Sequence, residues 1–338
     1  MIFRTIVDII PSENKINHRS KIMMIGSCFT TYIGERLSCL KYMVDINPAG
    51  TSFNPVSAAN CLEILLNRKM FTMSDIEYSN DRWISNDHHS DFSSPDAGEC
   101  LQKINTRITG SADFLGVADF LFITFGTAWV FEEKKTGKIV SNCHKKSASE
   151  FLRRLLTTGE IVDLFKLLIE KIHKINPAVK FVFTVSPIRH LADGVRQNQV
   201  SKSTLILAAN QLIKLFENSN IISGYFPSYE IMMDDLRDYR FYSDDMVHPS
   251  SSAIQYIWKQ FEAGFISTSS AELHKELERI NKAISHIPFN CDSDGYQLFA
   301  RSNIENLVAL QKKYDYLDFS AEIEYFRNKI RQIENTTG

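Results

Sequence analysis

Three short segments of the sequence carry residue types that could act together as a nucleophile, its hydrogen-bond donors and its base. The segments are Gly26–Phe29 (GSCF), Gly126–Trp129 (GTAW) and Asp245–Pro249 (DMVHP). A serine or cysteine in a tight turn between a strand and a helix lies beside backbone N–H groups and the positive end of the helix dipole. An aspartate three residues before a histidine can bond one imidazole nitrogen, while the other nitrogen takes the proton of the nucleophile. These residues predict acyl-transfer chemistry.

Apolar runs and helical periodicities on either side of these segments predict the elements that position them. Five apolar runs predict strands: Lys21–Ile25, Tyr42–Ile46, Asp119–Phe125, Lys180–Val185 and Ile221–Ser223. Apolar residues at helical spacing predict helices: Thr30–Leu40, Pro55–Leu66, Phe151–Ile175, Ser201–Glu217 and Ser250–Phe265. Because strands and helices alternate, we expect an α/β fold, a three-layer α/β/α sandwich around a mostly parallel, five-stranded sheet of flavodoxin-like topology. Ligands of such folds bind beyond the carboxyl ends of the strands, where we expect all three segments to lie.

The extent of this alternation predicts the domain organisation. We assign residues 1–265 to a catalytic domain, in which the polar and aromatic residues 67–113 form an irregular, lid-like insert. From residue 266 the alternation stops, and charged amphipathic segments predict a helical C-terminal extension over residues 266–338. These helices could pack on the catalytic domain or on a second subunit of a homo-oligomer, and the sequence leaves both arrangements open.

Longer stretches around the same residues resemble the GSCFA-domain family, a branch of the SGNH (GDSL-like) hydrolase superfamily. The matching stretches are Ile25–Leu37, Asn47–Pro55, Ile123–Glu132, Ser141–Lys145, Phe183–Gly194 and Met232–Ser250. The resemblance implies an SGNH sandwich with the nucleophile after the first strand and a DxxH motif near the end of the domain. It also implies an esterase that removes acetyl-like O-acyl groups from a carbohydrate or a related small substrate. The alternatives are an O-acyltransferase that uses a CoA thioester at the same site, and an inactive fold that binds a glycan or a protein.

The identity of the nucleophile stays open between two neighbouring residues. In the Gly-Asp-Ser turn of the superfamily the nucleophile is the third residue, which corresponds here to Cys28, while Ser27 takes the place of the aspartate. A related branch with a Gly-Asn-Cys turn favours Cys28. A helix N-terminus and a nearby His248 imidazolium would lower the pKa of this thiol, so we expect a reactive cysteine. The alternative is a small, buried apolar residue.

The resemblance also implies an oxyanion hole, and one of its members is missing from this sequence. Gly50 fits the glycine that follows the second strand. The Gly-x-Asn block of the superfamily is replaced by Gly126-Thr127-Ala128, which has no side-chain amide. The Thr127 hydroxyl, a backbone N–H group of this loop or Asn142 could replace the amide. Losing one such donor typically costs about 2.7–4 kcal/mol of transition-state stabilisation, so we expect a replacement.

Two further pairs of residues are candidates for substrate binding. His88 and His89 lie in the insert, which overlies the active site in the resemblance, so we expect them to contact substrate; surface histidines, or a metal site with Cys143 and His144, are the alternatives. Their spacing matches no standard zinc pattern, and we expect no metal. Arg189 and His190 follow the fourth strand, where a guanidinium group could bind a carboxylate or phosphate or could pair with the aspartates at 234–235.

Composition excludes several classes of protein. Lysine and arginine total 38 against 40 aspartates and glutamates, which argues against nucleic acid as a partner. No apolar run is long enough to cross a membrane, and charged residues interrupt the first 21 positions, so we expect neither an anchor nor a signal peptide. The six cysteines have no CxxC spacing, which is typical of reduced thiols in a cytoplasmic protein. We expect no cofactor apart from a CoA thioester in the acyltransferase alternative.

Overall fold

The structure is a computed structural model that describes residues 4–286 and 294–337. Its main elements, in chain order, are β1 (Lys21–Gly26), α1 (Cys28–Cys39), β2 (Met43–Ile46), α2 (Pro55–Leu66), β3 (Glu77–Ser79), β4 (Arg82–Ile84), α3 (Ala97–Leu115), β5 (Phe120–Phe125), β6 (Trp129–Glu133), β7 (Phe151–Leu155), α4 (Thr158–Ile175), β8 (Lys180–Val185), α5 (Val195–Leu215), β9 (Ile222–Phe226), α6 (Ser228–Glu230), α7 (Ser251–Phe265), α8 (Thr268–Ser285), α9 (Asp294–Lys313) and α10 (Ser320–Thr337).

Five parallel strands form the central sheet, in the order β2-β1-β5-β8-β9. This is the flavodoxin-like order, in which the chain changes direction across the sheet after β2. Successive side chains of a strand point to opposite faces. In β1, Met23 and Ile25 join the apolar core under α2 to α5, whereas Ile22 and Met24 join the core under α1 and α7. The prediction of a three-layer α/β/α sandwich with a five-stranded parallel sheet is therefore confirmed.

An antiparallel hairpin of β6 and β7 lies outside the central sheet, where the sequence predicted a helix from Phe151. Helix α4 begins only at Thr158, after a capping box formed by Thr157 and Glu160. The leucines of β7 happen to match a helical period, although Leu152 is half exposed. The prediction was wrong here because β7 depends on pairing with β6, which a local pattern does not reveal.

The insert is more regular than we expected. Residues 67–113 contain the β3–β4 hairpin and most of the 19-residue helix α3. Asp96 caps this helix by accepting a hydrogen bond from the Glu99 N–H at 2.8 Å. Ile104 and Ile108 are buried one turn apart and pack on the core beneath α2 and α4. The expectation of an irregular segment is thus wrong, because polar residues between these positions hid the helical period.

The C-terminal helices pack on helix α1 of the same chain. Arg36 forms an ion pair with Glu278 of α8, and Lys41, just after α1, lies 2.6 Å from Glu322 of α10. Buried apolar side chains of α8, α9 and α10 belong to the core beneath α1 and α7. The C-terminal helical extension is therefore confirmed, while the domain boundary at residue 265 and self-association through these helices stay predictions.

Two smaller findings concern the thiols and the helices. Cys28, Cys39, Cys61, Cys100 and Cys143 are all free thiols, and Cys291 lies outside the described residues. Within 4–286 and 294–337, every helix is too short or too polar to span a lipid bilayer.

Candidate active site

Strand β1 ends in a turn that requires glycine. Gly26 has a φ of +146°, and a Cβ atom there would lie 2.2 Å from the carbonyl oxygen of Thr124 on the neighbouring strand β5. The Gly26 N–H donates to Asn47 Oδ1 at 2.8 Å, which ties the turn to the end of β2. Ser27 is the N-cap of α1 and Cys28 is its first residue. The two candidate nucleophiles therefore lie side by side at a helix N-terminus.

The two candidates differ in their access to solvent. Ser27 is 1% exposed, and its Oγ has no hydrogen-bond partner among the described residues. Cys28 is half-buried. Burial raises the pKa of the Cys28 thiol. A hydrogen bond from the Cys28 backbone N–H lowers this pKa but offsets only part of the increase. The expected lowering of this pKa is contradicted, because the half-buried thiolate loses more hydration than its surroundings replace.

Asp245 and His248 form the hydrogen-bonded pair that the DxxH motif predicts. The Asp245 Oδ2 lies 2.6 Å from His248 Nδ1, and Asp245 Oδ1 accepts hydrogen bonds from the backbone N–H groups of Val247 and His248, both at 2.9 Å. Met246 adopts a φ of +56°, which closes the loop. Hydrogen bonds from His248 and Val247 lower the pKa of Asp245 to about 2, so this carboxylate is charged at neutral pH. With His248 Nδ1 occupied, Nε2 is the nitrogen left to exchange a proton.

The Asp245 carboxylate is close enough to helix α1 for its charge to act on Tyr32. Tyr32, one turn after Cys28, has a raised pKa; burial is the main cause, and the negative charges of Cys28 and Asp245 add to it. Val247 and Cys28 both border the large apolar core beneath α1 and α7, which extends to α10. No hydrogen bond between described residues joins His248 to either candidate nucleophile, so the proton-transfer contact is open in this structure. Such contacts often tighten only when substrate binds.

The predicted oxyanion donors are used to hold loops together. Gly50, with a φ of +82°, donates its N–H to a carbonyl oxygen of its own turn at 2.8 Å. The N–H groups of Gly126 and Thr127 both donate to the Phe53 carbonyl oxygen, at 3.0 and 2.7 Å. The Thr127 hydroxyl is 3.0 Å from Ser201 Oγ. Contrary to our expectation, none of these groups is free to bind an oxyanion in this structure.

Free backbone donors remain at the first turn of α1. The first N–H groups of a helix have no acceptor within it. In the part of the chain that the structure describes, no backbone carbonyl accepts from the N–H of Cys28 or Phe29. Asn142 Oδ1 accepts from the His144 N–H at 2.8 Å, which leaves only the Asn142 amide NH₂ to donate. The first turn of α1 therefore offers free N–H donors beside the two candidate nucleophiles.

A cavity of about 520 Å³ lies beyond the ends of strands β5 and β8. Four of the predicted site residues line it, namely Thr127, Asn142, Arg189 and His190. Its wall also contains aromatic and basic side chains that were not predicted as site residues: Phe53, Trp129, Phe131 and Arg153. Three of these four belong to the β6–β7 hairpin, and they were missed because that hairpin was not predicted.

His190 is a neutral imidazole in the wall of this cavity. Burial, together with the positive charges of Lys202, His248 and Arg153, lowers its pKa to about 3. The His190 ring packs edge-on against that of Phe53, with 5.8 Å between the ring centroids. The His190 backbone N–H donates to Asn198 Oδ1 at 2.9 Å, which fixes the start of the loop after β8.

Arg189 faces the Asp245–His248 loop rather than the aspartates at 234–235. Its backbone N–H donates to the Val247 carbonyl oxygen at 3.2 Å, and its Nη1 lies 3.5 Å from the Met246 carbonyl oxygen. The guanidinium carbon is 4.4 Å from the centroid of the Tyr242 ring. Among the described residues no carboxylate forms an ion pair with Arg189, so its charge is available to an anionic group in the cavity.

The two histidines of the insert have different surroundings. His88 is fully buried, and its ring lies 4.9 Å from that of Phe71 and 5.1 Å from that of Phe92. His88 is a core residue, contrary to the expectation that it contacts substrate. His89 packs on Gly50, where a Cβ atom would lie 2.2 Å from the His89 Cβ. Within the described ranges, no cluster of three or more His, Cys, Asp or Glu side chains could hold a metal ion.

Solved structures with a similar chain path include three esterases. A carbohydrate esterase family 3 from Talaromyces cellulolyticus has 11% identity and a TM-score of 0.34, over 77% of this chain and 99% of that chain. An acetyl xylan esterase from the rumen bacterium Butyrivibrio proteoclasticus has 10% identity and a TM-score of 0.37, over 79% and 66%. A family two carbohydrate esterase from Clostridium thermocellum, in complex with cellohexaose, has 15% identity and a TM-score of 0.33, over 79% and 66%. These values are too low to assign an activity.

The sequence itself identifies the family. No curated protein matches it. The GSCFA family profile matches residues 21–261, which include both the nucleophile turn and the Asp245–His248 loop. The profile of the GSCFA domain protein, C-terminal domain, matches residues 277–332 in the C-terminal helices. Because the two profiles cover most of the chain, the protein belongs to the GSCFA family.

Proposed function

We propose that the protein is an ester hydrolase in which Cys28 is the nucleophile, His248 is the base and Asp245 orients His248. The observation that carries the proposal is the hydrogen bond between Asp245 and His248, in which the carboxylate binds Nδ1 and leaves Nε2 to exchange a proton. Exposed ion pairs contribute only about 0–1 kcal/mol to stability, so a stabilising role alone gives little reason for this geometry.

Access favours Cys28 over Ser27 as the attacking residue. The Ser27 Oγ is buried from solvent, whereas Cys28 is half-buried. A substrate can therefore approach the Cys28 Sγ with less rearrangement. The raised pKa of the thiol makes a base necessary, because the thiolate is scarce at neutral pH unless His248 removes the proton.

The reaction has two steps, the formation of a thioester on Cys28 and its hydrolysis. The Cys28 Sγ attacks the acyl carbon while His248 Nε2 takes the thiol proton. The N–H groups of Cys28 and Phe29 bind the oxyanion, and the intermediate then collapses to a thioester as the alcohol leaves with the proton of His248. His248 then deprotonates a water molecule as it attacks the thioester. When the carboxylic acid leaves, His248 returns this proton to the Cys28 sulfur, which restores the thiol.

We infer the substrate class from the superfamily resemblance and from the cavity beyond β5 and β8, which is lined by none of Ser27, Cys28, Asp245 and His248. A volume of about 520 Å³ suits a small ligand. Trp129 and Phe131 give the cavity an aromatic wall, and Arg189 offers positive charge. Arg153 is already paired with Asp193, and its guanidinium group lies over both rings. We therefore propose an O-acylated carbohydrate, with the acetyl group as the first acyl group to test.

The proposal is tested by hydrolysis of p-nitrophenyl acetate. We expect Cys28→Ala and His248→Ala to lose activity by about 10³-fold or more, and Ser27→Ala to keep it. Cys39→Ala is the control, because Cys39 is a free thiol at the other end of helix α1 and does not line the cavity. Mass spectrometry of the reaction should locate an acetyl group on Cys28.

Other outcomes would favour the alternatives. Equal rates in the parent protein and all variants would contradict the hydrolase and favour a non-catalytic binding protein. Acetyl transfer from acetyl-CoA to an added sugar, faster than transfer to water, would favour an acyltransferase with the same nucleophile. If Ser27→Ala is inactive and the acetyl adduct of the parent protein lies on Ser27, then Ser27 is the nucleophile of the same reaction.

A further inference from the structure

We propose that Lys202 is a positioning residue of this site. It fixes the loop after β5 against the nucleophile turn and places a positive charge beneath that loop. This inference rests on the proposed hydrolase function. Lys202 lies in α5 and is 1% exposed. Its Nζ donates hydrogen bonds to the carbonyl oxygens of Gly126 and Ser186, both at 2.7 Å. Since these residues follow the neighbouring strands β5 and β8, one ammonium group joins two strands at the edge of the sheet where the site lies.

Gly126 connects Lys202 to the nucleophile turn. A Cβ atom at Gly126 would lie 3.3 Å from the Ser27 Cβ and 2.6 Å from the Phe53 carbonyl oxygen, so its backbone is in close contact with both. The peptide bond between Gly126 and Thr127 makes two contacts. Its carbonyl oxygen accepts a hydrogen bond from Lys202, and its N–H group donates to the Phe53 carbonyl oxygen. A shift of Gly126 would therefore move the surroundings of the residue that precedes the proposed nucleophile.

Ser201 holds the same loop without a charge. Its Oγ lies 3.0 Å from the Thr127 Oγ1 and accepts a hydrogen bond from the Ala128 N–H at 2.7 Å. Ser201 and Lys202 thus form a matched pair. Replacing Ser201 removes contacts with the loop and leaves the ammonium group in place, whereas replacing Lys202 removes both contacts and charge.

The Lys202 ammonium group is buried without a carboxylate partner. In the described parts of the chain its hydrogen bonds go to carbonyl oxygens only. Three titratable groups surround it: Glu230, the neutral His190 and Tyr229. Glu230 accepts a hydrogen bond from the Tyr225 hydroxyl, and the Tyr229 ring centroid is 5.4 Å from Lys202 Nζ. Burying an unpaired charge is costly, so its retention beside the site fits a functional use.

The Lys202 charge can take over the electrostatic role of the side-chain amide that the Gly126-Thr127-Ala128 loop lacks. Negative charge forms on the carbonyl oxygen of the substrate as the nucleophile attacks, and fixed positive charge in a poorly hydrated site stabilises it. The Gly126-Thr127-Ala128 loop has no side-chain amide, and its own N–H groups are occupied. Lys202 supplies positive potential from beneath this loop. Burial lowers its pKa to about 7, so a large share of the charge is present at neutral pH and disappears in alkaline solution.

The test compares Lys202→Met and Ser201→Ala with Lys214→Met, which replaces an exposed lysine on the same helix. Rates of p-nitrophenyl acetate hydrolysis are measured from pH 6 to pH 9. We expect Lys202→Met to lower kcat by about 10²-fold with little change in KM, since small displacements of a catalytic group have effects of this size. The kcat of the parent and of Ser201→Ala should fall above about pH 7, a fall that Lys202→Met should lack. Lys214→Met should match the parent.

Each result decides between the two proposals. A kcat of Lys202→Met close to that of the parent, or the same alkaline fall in both proteins, overturns the role of Lys202 and leaves the hydrolase intact. If Lys202→Met does not fold, the parent protein decides the question: a kcat that does not fall above about pH 7 overturns the role of Lys202. If the parent does not hydrolyse the ester, the hydrolase itself fails. Hydrogen exchange then tests the positioning alone: the Gly126 and Thr127 amides should exchange faster in Lys202→Met or Lys202→Gln than in Lys214→Met, and equal rates overturn it.

Discussion

The Asp245 carboxylate binds His248 at two points, with one oxygen 2.6 Å from the ring Nδ1 and the other 2.9 Å from the backbone N–H. Together these contacts fix both the position of the residue and the rotation of its ring. Because Nδ1 is bound, a proton can be exchanged only at Nε2. The pair therefore has the geometry of a base and its orienting carboxylate before any substrate is present.

Replacing this carboxylate should reduce activity more than stability. We expect Asp245→Asn to lower kcat/KM by about 10²-fold or more, because an amide neither holds the required tautomer nor stabilises the imidazolium. The melting temperature should change little, since Asp245 is exposed. Asp244→Asn is the matched control, because Asp244 is an exposed neighbour of the same charge. Equal activity in both variants and the parent would remove Asp245 from the mechanism.

Removing the Ser27 hydroxyl should stabilise the protein. Its buried Oγ has no hydrogen-bond partner among the described residues, and it does not cap the helix that it precedes. We expect Ser27→Ala to raise the free energy of unfolding by about 1 kcal/mol in urea denaturation, because an unsatisfied buried hydroxyl is lost. Thr157→Ala is the control, since Thr157 accepts from the Glu160 N–H and its loss should cost about 1 kcal/mol. Destabilisation by Ser27→Ala would show that the hydroxyl has a partner in solution.

A side chain at Gly26 should disrupt the nucleophile turn. The added Cβ of Gly26→Ala would meet the Thr124 carbonyl oxygen at 2.2 Å, in a backbone conformation that other residues rarely adopt. We expect it to lower the free energy of unfolding by more than about 3 kcal/mol. Gly110→Ala, inside α3 with no atom near the new Cβ, should instead stabilise by about 0.5–1 kcal/mol. A Gly26→Ala protein as stable as the parent would contradict the geometry of the turn.

The buried Lys202 should make stability depend on pH. Folding lowers its pKa from 10.5 to about 7, so between these values the unfolded chain binds more protons than the folded one. Its contribution to stability is therefore least favourable below about pH 7 and improves as the pH rises toward 10.5. The difference in unfolding free energy between the parent and Lys202→Met should shift in favour of the parent from pH 7 to pH 9. The Lys214→Met difference should stay constant, and a constant Lys202→Met difference would contradict the lowered pKa.

Several elements of the fold were encoded locally and were predicted well. All six residues of β5 are buried, as an apolar run in the centre of a parallel sheet should be. Helix α2 has the predicted limits, with Asn54 as its N-cap and Pro55 as its first residue. By contrast, α5 begins at Val195, six residues before the predicted Ser201, because the residues between Val195 and Val200 are polar and show no apolar period.

The sequence alone determined the order of strands and helices, the glycine turn and the Asp245–His248 pair, because each depends on residues that are neighbours along the chain. Only the tertiary structure decided which donors are free, that His88 is buried, and that Lys202 meets Gly126 across 76 residues of sequence. Those contacts depend on how loops from separate strands pack at one edge of the sheet. A local pattern cannot specify them, because burial and hydrogen-bond partners are set by the whole fold.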